Sequence, residues 1–173
     1  GAGGRGAAGA STVGANARWP GPGEGLGDGT RDAGKHVANV TPPDMPDPGR
    51  VSQIDASHCN DGAAYVSVRK PLLNDVAPYI FKTSDFGRTW TKIVNGIRAD
   101  DYVHAVRVNL KRPGLLYAGT EHGIYGSFVP WSRWQSLSRN LREAQVPDIA
   151  RMGIEFLVFT HGPTVHVIPG LCP

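Results

Sequence analysis

The sequence predicts an all-β chain, a partial β-propeller of about two to three four-stranded antiparallel blades, and three observations predict it. Short strand-like runs dominate from residue 50 onward. Turn signals separate them at spacings of about eight to twelve residues. One eight-residue string recurs at intervals of roughly 45 to 53 residues, the length of one four-stranded blade.

The runs, in order, are 63–68, 79–83 after the break at Pro78, 90–94, 103–108, 115–120, 123–128, 134–137, 156–160 and 164–168. They are rich in Val, Ile, Tyr, Phe and Thr, and 90–94 and 103–108 alternate apolar with polar residues. Asn60-Asp61-Gly62, Asp85-Phe86-Gly87, Asn95-Gly96 and Arg112-Pro113-Gly114 supply the turns. Helical periodicity is poor. The one candidate helix, 138–146, is short and lacks a good cap.

Three domain segments follow. Residues 1–29 are mostly Gly, Ala, Pro and Arg, with Val13, Trp19 and Leu26 as the sizeable apolar side chains. Such a stretch buries too little to offset its ordering entropy and reads as disordered. Residues 30–168 hold the blades, and 169–173 form a tail. The start has no initiator Met and no apolar signal core, so it reads as an interior beginning.

Composition narrows the function. The net charge is +3, and the basic residues are scattered without a run or stripe, which argues against nucleic-acid binding. No apolar run reaches the roughly 18 to 20 residues of a membrane-spanning helix. Cys59 and Cys172 sit in no zinc-ligand spacing and read as two free thiols. No metal and no cofactor is expected.

The repeated string carries the most chemical information. Thr83-Ser84-Asp85-Phe86-Gly87-Arg88-Thr89-Trp90 has the form Ser/Thr-x-Asp-x-Gly-x-Thr-Trp. Thr30-Arg31-Asp32-Ala33-Gly34-Lys35 repeats it before departing at His36-Val37. Ser127 and Trp134 keep the ends of a third copy whose Asp and Gly are lost, with Val129, Pro130, Trp131 and Arg133 between. In a tight turn the Asp85 carboxylate can accept N–H bonds otherwise unpaired, Thr83 and Thr89 can add hydroxyl bonds, and Gly87 suits a positive φ. Trp90 is expected to pack its ring into the core beside the neighbouring blade. These roles are structural rather than catalytic.

This string resembles the Asp box of BNR-repeat proteins. With 40–43, 77–83, 94–97, 114–125 and 160–162, it makes the chain similar to large bacterial BNR-repeat proteins. These are often labelled glycosyl hydrolases and are related to sortilin-type propellers and oligoxyloglucan-type hydrolases. The resemblance covers about residues 30 to 168 and is strongest from 76 to 126. It implies the C-terminal blades of a longer chain and an extracytoplasmic or secreted setting. The altered first and third boxes, and the unmatched end at 163–173, read as a partly degraded frame.

Two functions follow from the resemblance. One is a non-catalytic binding or scaffold segment, holding carbohydrate or peptide through propeller-face loops. Tyr102, His104 and His122 are its candidates, although His104 and His166 also suit structural roles in their strands. Its further partners are the remaining blades of a longer chain or a second copy. The alternative is part of a glycoside hydrolase, which needs two carboxylates roughly 5 to 10 Å apart across a cleft. Asp75, Asp100, Asp101, Glu121, Glu143, Asp148 and Glu155 are the carboxylates outside the box, and none stands in a catalytic motif. Asp100-Asp101 reads as a solvated loop, and Glu121 as a turn residue.

Overall fold

A computed structural model describes residues 28–30, 37–46, 49–70, 74–127, 133–137, 144–152, 155–160 and 165–168. Most of the segment expected to be disordered, the interior of the first box with Asp32 and Gly34, and the tail 169–173 lie outside the described residues. So do residues 138–143 of the candidate helix, and Glu143 with them.

Among the described residues, thirteen strands form four antiparallel sheets. The first sheet pairs β1 (Asp28–Thr30) with β2 (Val37–Asn39). Asp28 and Gly29 are therefore in strand, two residues ahead of the boundary read from the sequence. The second sheet has the order β3 (Arg50–Ala56), β4 (Ala64–Lys70), β5 (Asp75–Thr83), β6 (Thr91–Lys92). The third runs β7 (Val103–Val108), β8 (Leu116–Thr120), β9 (Ile124–Ser127), β10 (Trp134–Ser136). The fourth has β11 (Asp148–Met152), β12 (Glu155–Phe159) and β13 (Val165–Ile168).

Each sheet is a meander of sequential strands, so the hairpin turns read from the sequence set its register. The three copies of the repeated string occupy the same hairpin position. Thr30 pairs with Val37 and Ser127 with Trp134. The pairs Phe81–Lys92 and Lys82–Thr91 put the middle copy in that register. The next bond is also shared, since Ile93 N donates to Ile80 O at 2.8 Å and Leu137 N to Ile124 O at 2.9 Å.

The second, third and fourth sheets stack face to face, and much of the core lies between them. Val51, Ile54, Val66, Val68 and Phe81 pack with Val40, Met45 and Trp90 on one side of the second sheet. Tyr65, Ile80 and Ile93 meet Val106, Leu116, Tyr125 and Trp134 between the second and third. Tyr117 and Ile124 meet Val146, Ile149, Phe156 and Val158 between the third and fourth. Burying the larger of these side chains contributes about 1.5 to 3 kcal/mol each.

Past residue 50, two strands were missed in the sequence, β3 and β11, and both are the first strands of their sheets. Both mix charged side chains with apolar ones, β3 adding Gln53, and so lack the look of a core strand.

Candidate functional site

The box hairpin is local in its bonding. Thr89 N and Thr89 Oγ1 donate to the two oxygens of Asp85 at 2.9 and 2.6 Å. The Thr83 hydroxyl donates to Asp85 Oδ1 at 2.8 Å and accepts from Gly87 N at 2.9 Å. Gly87 has φ +80°, and a Cβ there would sit 2.6 Å from that of Val40. The Thr89 hydroxyl and backbone bonds outweigh desolvation and hold the Asp85 carboxyl down at about 2.

The tryptophans of this motif act between sheets. Trp90 Nε1 donates to Val40 O at 2.8 Å, and Trp134 Nε1 to Ile93 O at 2.7 Å. Val40 and Ile93 each lie three residues past the end of the preceding copy. Trp134 is buried, whereas Trp90 is only half-buried. The expectation of a core position for Trp90 is corrected to that extent, because the Val40 carbonyl it bonds lies on a connecting segment at the margin of the core.

A second arrangement joins the first strands. β3, β7 and β11 are sheet edges, whose free N–H and C=O groups need partners. Gln53 Oε1 accepts Val106 N at 3.0 Å, and Asp55 Oδ2 accepts Val108 N at 2.7 Å. Arg107 Nε donates to Ile149 O at 2.7 Å, and its Nη2 lies 3.4 Å from Asp148 Oδ1. Arg151 returns to the first of these strands, pairing with Asp55 and donating to His58 Nε2 at 3.0 Å. The pairing registers put Asp55 opposite Tyr65, Arg107 opposite Tyr117 and Arg151 opposite Phe156, one charged layer against three aromatic rings. Burial, followed by the nearby Arg151 charge, lowers the His58 pKa and favours the neutral acceptor form.

The third arrangement gathers the loop candidates. At the β8–β9 turn, His104 Nε2 and Gln145 Nε2 lie 3.0 and 2.8 Å from Glu121 Oε2, and the Tyr102 ring meets His104 edge-on at 4.8 Å. Burial alone would raise the Glu121 pKa, but the bonds from His104, Tyr102 and Gln145 lower it overall. Beside it, Asp101 accepts His122 N at 3.0 Å and lies 3.1 Å from His122 Nδ1 and 3.2 Å from Tyr125 Oη. Asp101 is 0% exposed, which overturns its reading as a solvated loop residue. The buried Tyr125 hydroxyl and the turn N–H of His122 require an acceptor there. Its neighbour Asp100 is exposed and paired with Arg98 at 2.9 Å.

The structure thus brings Tyr102, His104, Glu121 and His122 together and keeps Asp75 and Asp85 apart in their own turns. Asp75 accepts Ala77 N and the Tyr79 hydroxyl at 3.0 and 2.9 Å. Sequence reading missed Gln53, Asp55, His58, Arg107 and Arg151. The turn at 60–62 was the available signal, since a hairpin there requires a partner strand just before it. Among the described residues no group of three or more His, Cys, Asp or Glu could hold a metal ion, no helix is long and apolar enough to cross a membrane, and Cys59 is free.

No family model matches the chain, and no curated protein does. Solved structures do. YCF48 bound to D1 peptide aligns with a TM-score of 0.68 at 16% identity, over 94% of this chain and 51% of that one. YCF48 from Cyanidioschyzon merolae gives 0.63 at 18%, over 92% and 51%. The GH74 xyloglucanase from Xanthomonas campestris gives 0.68 at 11%, over 95% and 29%. The chain therefore spans about half the length of the first two and under a third of the last. These neighbours are β-propellers with repeats of the BNR or Asp-box type. In fold, the chain is a partial β-propeller, and its sheets are successive blades.

Proposed function

We propose that the chain is a non-catalytic binding and scaffold segment of a propeller. The observation that carries this reading is the state of its carboxylates. A glycosidase acid needs a carboxyl whose pKa is raised. Among the described residues, Asp55 and Asp101 are buried acceptors of backbone N–H groups, Asp75 and Asp85 close their own turns, Asp100 pairs with Arg98, Glu121 is held by His104 and Gln145, and the shifts at Asp75, Asp85, Asp100 and Glu121 are downward. Bonds from backbone, Thr, Tyr, Arg or His side chains cause these shifts, and such bonds favour the ionised form. The loop cluster of Tyr102, Glu121, His122 and Gln145 supplies half-exposed polar groups on a fixed frame, suited to a peptide or a sugar. One fold neighbour was solved with a peptide bound, which favours peptide as the first ligand to try.

The second reading, part of a glycan hydrolase, draws on the likeness to the xyloglucanase. Incubating purified chain with xyloglucan and with a peptide library separates the two. Peptide binding weakened by Tyr102→Ala, with no sugar release, is expected. Glycan turnover abolished by one carboxylate substitution would reverse the assignment.

A further inference from the structure

A guanidinium without a carboxylate stands beside the loop cluster. Three other half-buried cations have carboxylate partners: Lys70 with Asp75, Arg107 with Asp148 and Arg151 with Asp55. Arg69 pairs with no carboxylate among the described residues, although it too is half-buried. Its Nε is buried without a hydrogen-bond partner. The register places it directly opposite Arg50. Like charges facing each other across a ladder destabilise it, so an anion between them is favourable.

Alternation along β4 fixes the face that carries it. Val66 and Val68 turn toward Val51 and Phe81, so Tyr65, Ser67 and Arg69 take the other face. Tyr65 joins Val103 and Val106 there, in the core between the second and third sheets. Arg69 ends the row near Tyr102, just ahead of β7. Burial raises the Tyr102 pKa, and the nearby Arg69 charge opposes that rise. The acids of this end have other partners. Asp101 accepts His122 N and the Tyr125 hydroxyl, and Glu121 is held by His104 and Gln145.

We propose that Arg69, backed by Arg50, is an anion subsite bordering the loop cluster and takes the carboxylate of an Asp or Glu side chain in a bound peptide. The proposal rests on the reading of that cluster as a peptide site. With Nε buried and the residue partly exposed, the terminal nitrogens of Arg69 are its accessible donors. Their fork matches the two oxygens of one carboxylate. A carboxylate there also offsets the repulsion between Arg69 and Arg50. The ionised Glu121 nearby disfavours a doubly charged phosphate more than a singly charged carboxylate. A neutral sugar hydroxyl would leave the guanidinium charge unmatched.

The test uses the full chain and a positional library of short labelled peptides, acetylated and amidated so that only side chains carry charge. Each sublibrary fixes one position as Glu, Gln, Lys or phosphoserine, and binding is read by fluorescence anisotropy. At one position Glu should be preferred over Gln by about tenfold, the scale of a charge-assisted pair. The preference should shrink in about 0.5 M salt. Arg69→Gln should abolish it while Gln peptides still bind. The melting temperature of that variant should equal or exceed that of the parent chain, because a like-charge pair is removed. Three outcomes would overturn the subsite and leave the peptide reading standing: a Glu preference that survives Arg69→Gln, selection of Lys or phosphoserine over Glu, or equal binding of Glu and Gln peptides that Tyr102→Ala still weakens. A melting temperature lowered by Arg69→Gln would also overturn it, since Arg69 would then be a structural support. Failure of every peptide to bind would overturn both readings.

Discussion

Replacing Asp55 by alanine tests whether the first strands hold the sheets together. Asp55 is 5% exposed, and its Oδ2 accepts the Val108 N–H and the Arg151 guanidinium. Alanine leaves that edge N–H without its acceptor, at about 1 to 3 kcal/mol. It also leaves Arg151 without its carboxylate, and removing one member of a buried pair costs about 3 to 5 kcal/mol. The two costs overlap, and the Arg151 side chain at 24% exposure regains some water, so about 3 kcal/mol is expected. That is a large share of the roughly 5 to 15 kcal/mol holding a domain folded. Urea unfolding followed by tryptophan fluorescence should show a midpoint lower by about 1 to 3 M for a slope of about 1 to 3 kcal/mol/M. Asp55→Asn, which keeps an acceptor for Val108 N, should fall between. Asp148→Ala, at 55% side-chain exposure, should cost under about 1 kcal/mol. A midpoint shift below about 0.3 M for Asp55→Ala, at unchanged slope, would refute the idea that this carboxylate joins the sheets.

Trp134→Phe keeps an aromatic ring, smaller than the buried indole, and deletes the donor to Ile93 O; a loss of about 1 to 3 kcal/mol or more is expected by calorimetry, and a neutral result would show that the bond is replaceable. The His58 pKa is lowered in the fold, so the unfolded chain takes up its proton first as pH falls. Stability should be full above about 6.5 and decline below it, and His58→Gln should flatten that part of the pH profile. Asp85 behaves in the same direction at lower pH: its contribution is present above the unfolded value of 3.8 and is lost as pH falls toward about 2. Asp85→Asn should remove that acid-side slope, as read by melting temperature against pH.

How much was legible in the sequence depended on how local the cause was. The hairpin at 83–92 could be read from the chain because Thr83, Asp85, Gly87 and Thr89 satisfy one another within a few residues. The copies at 30–37 and 127–134 fell into the same hairpin position even where the Asp or Gly was lost. There the strand pattern on both sides fixes the register. Outer and middle strands such as 79–83 and 116–120 announced themselves by β-branched and aromatic residues facing two layers of core.

The first strands β3 and β11 did not. Gln53, Asp55, Arg107 and Arg151 look like surface residues in the sequence, and only the stacking of three sheets makes them partners. Their contacts span 42 to 96 positions, so no local spacing encodes them. The burial of Asp101 follows the same rule, because its acceptor role exists only once the 121–125 hairpin folds back over it. The sequence by itself determined the blades, their hairpins and the box chemistry, because those depend on turn conformation and alternation within one sheet. The tertiary structure alone decided which polar groups meet between sheets. An edge N–H or a buried hydroxyl takes whatever acceptor the packing brings within about 3 Å.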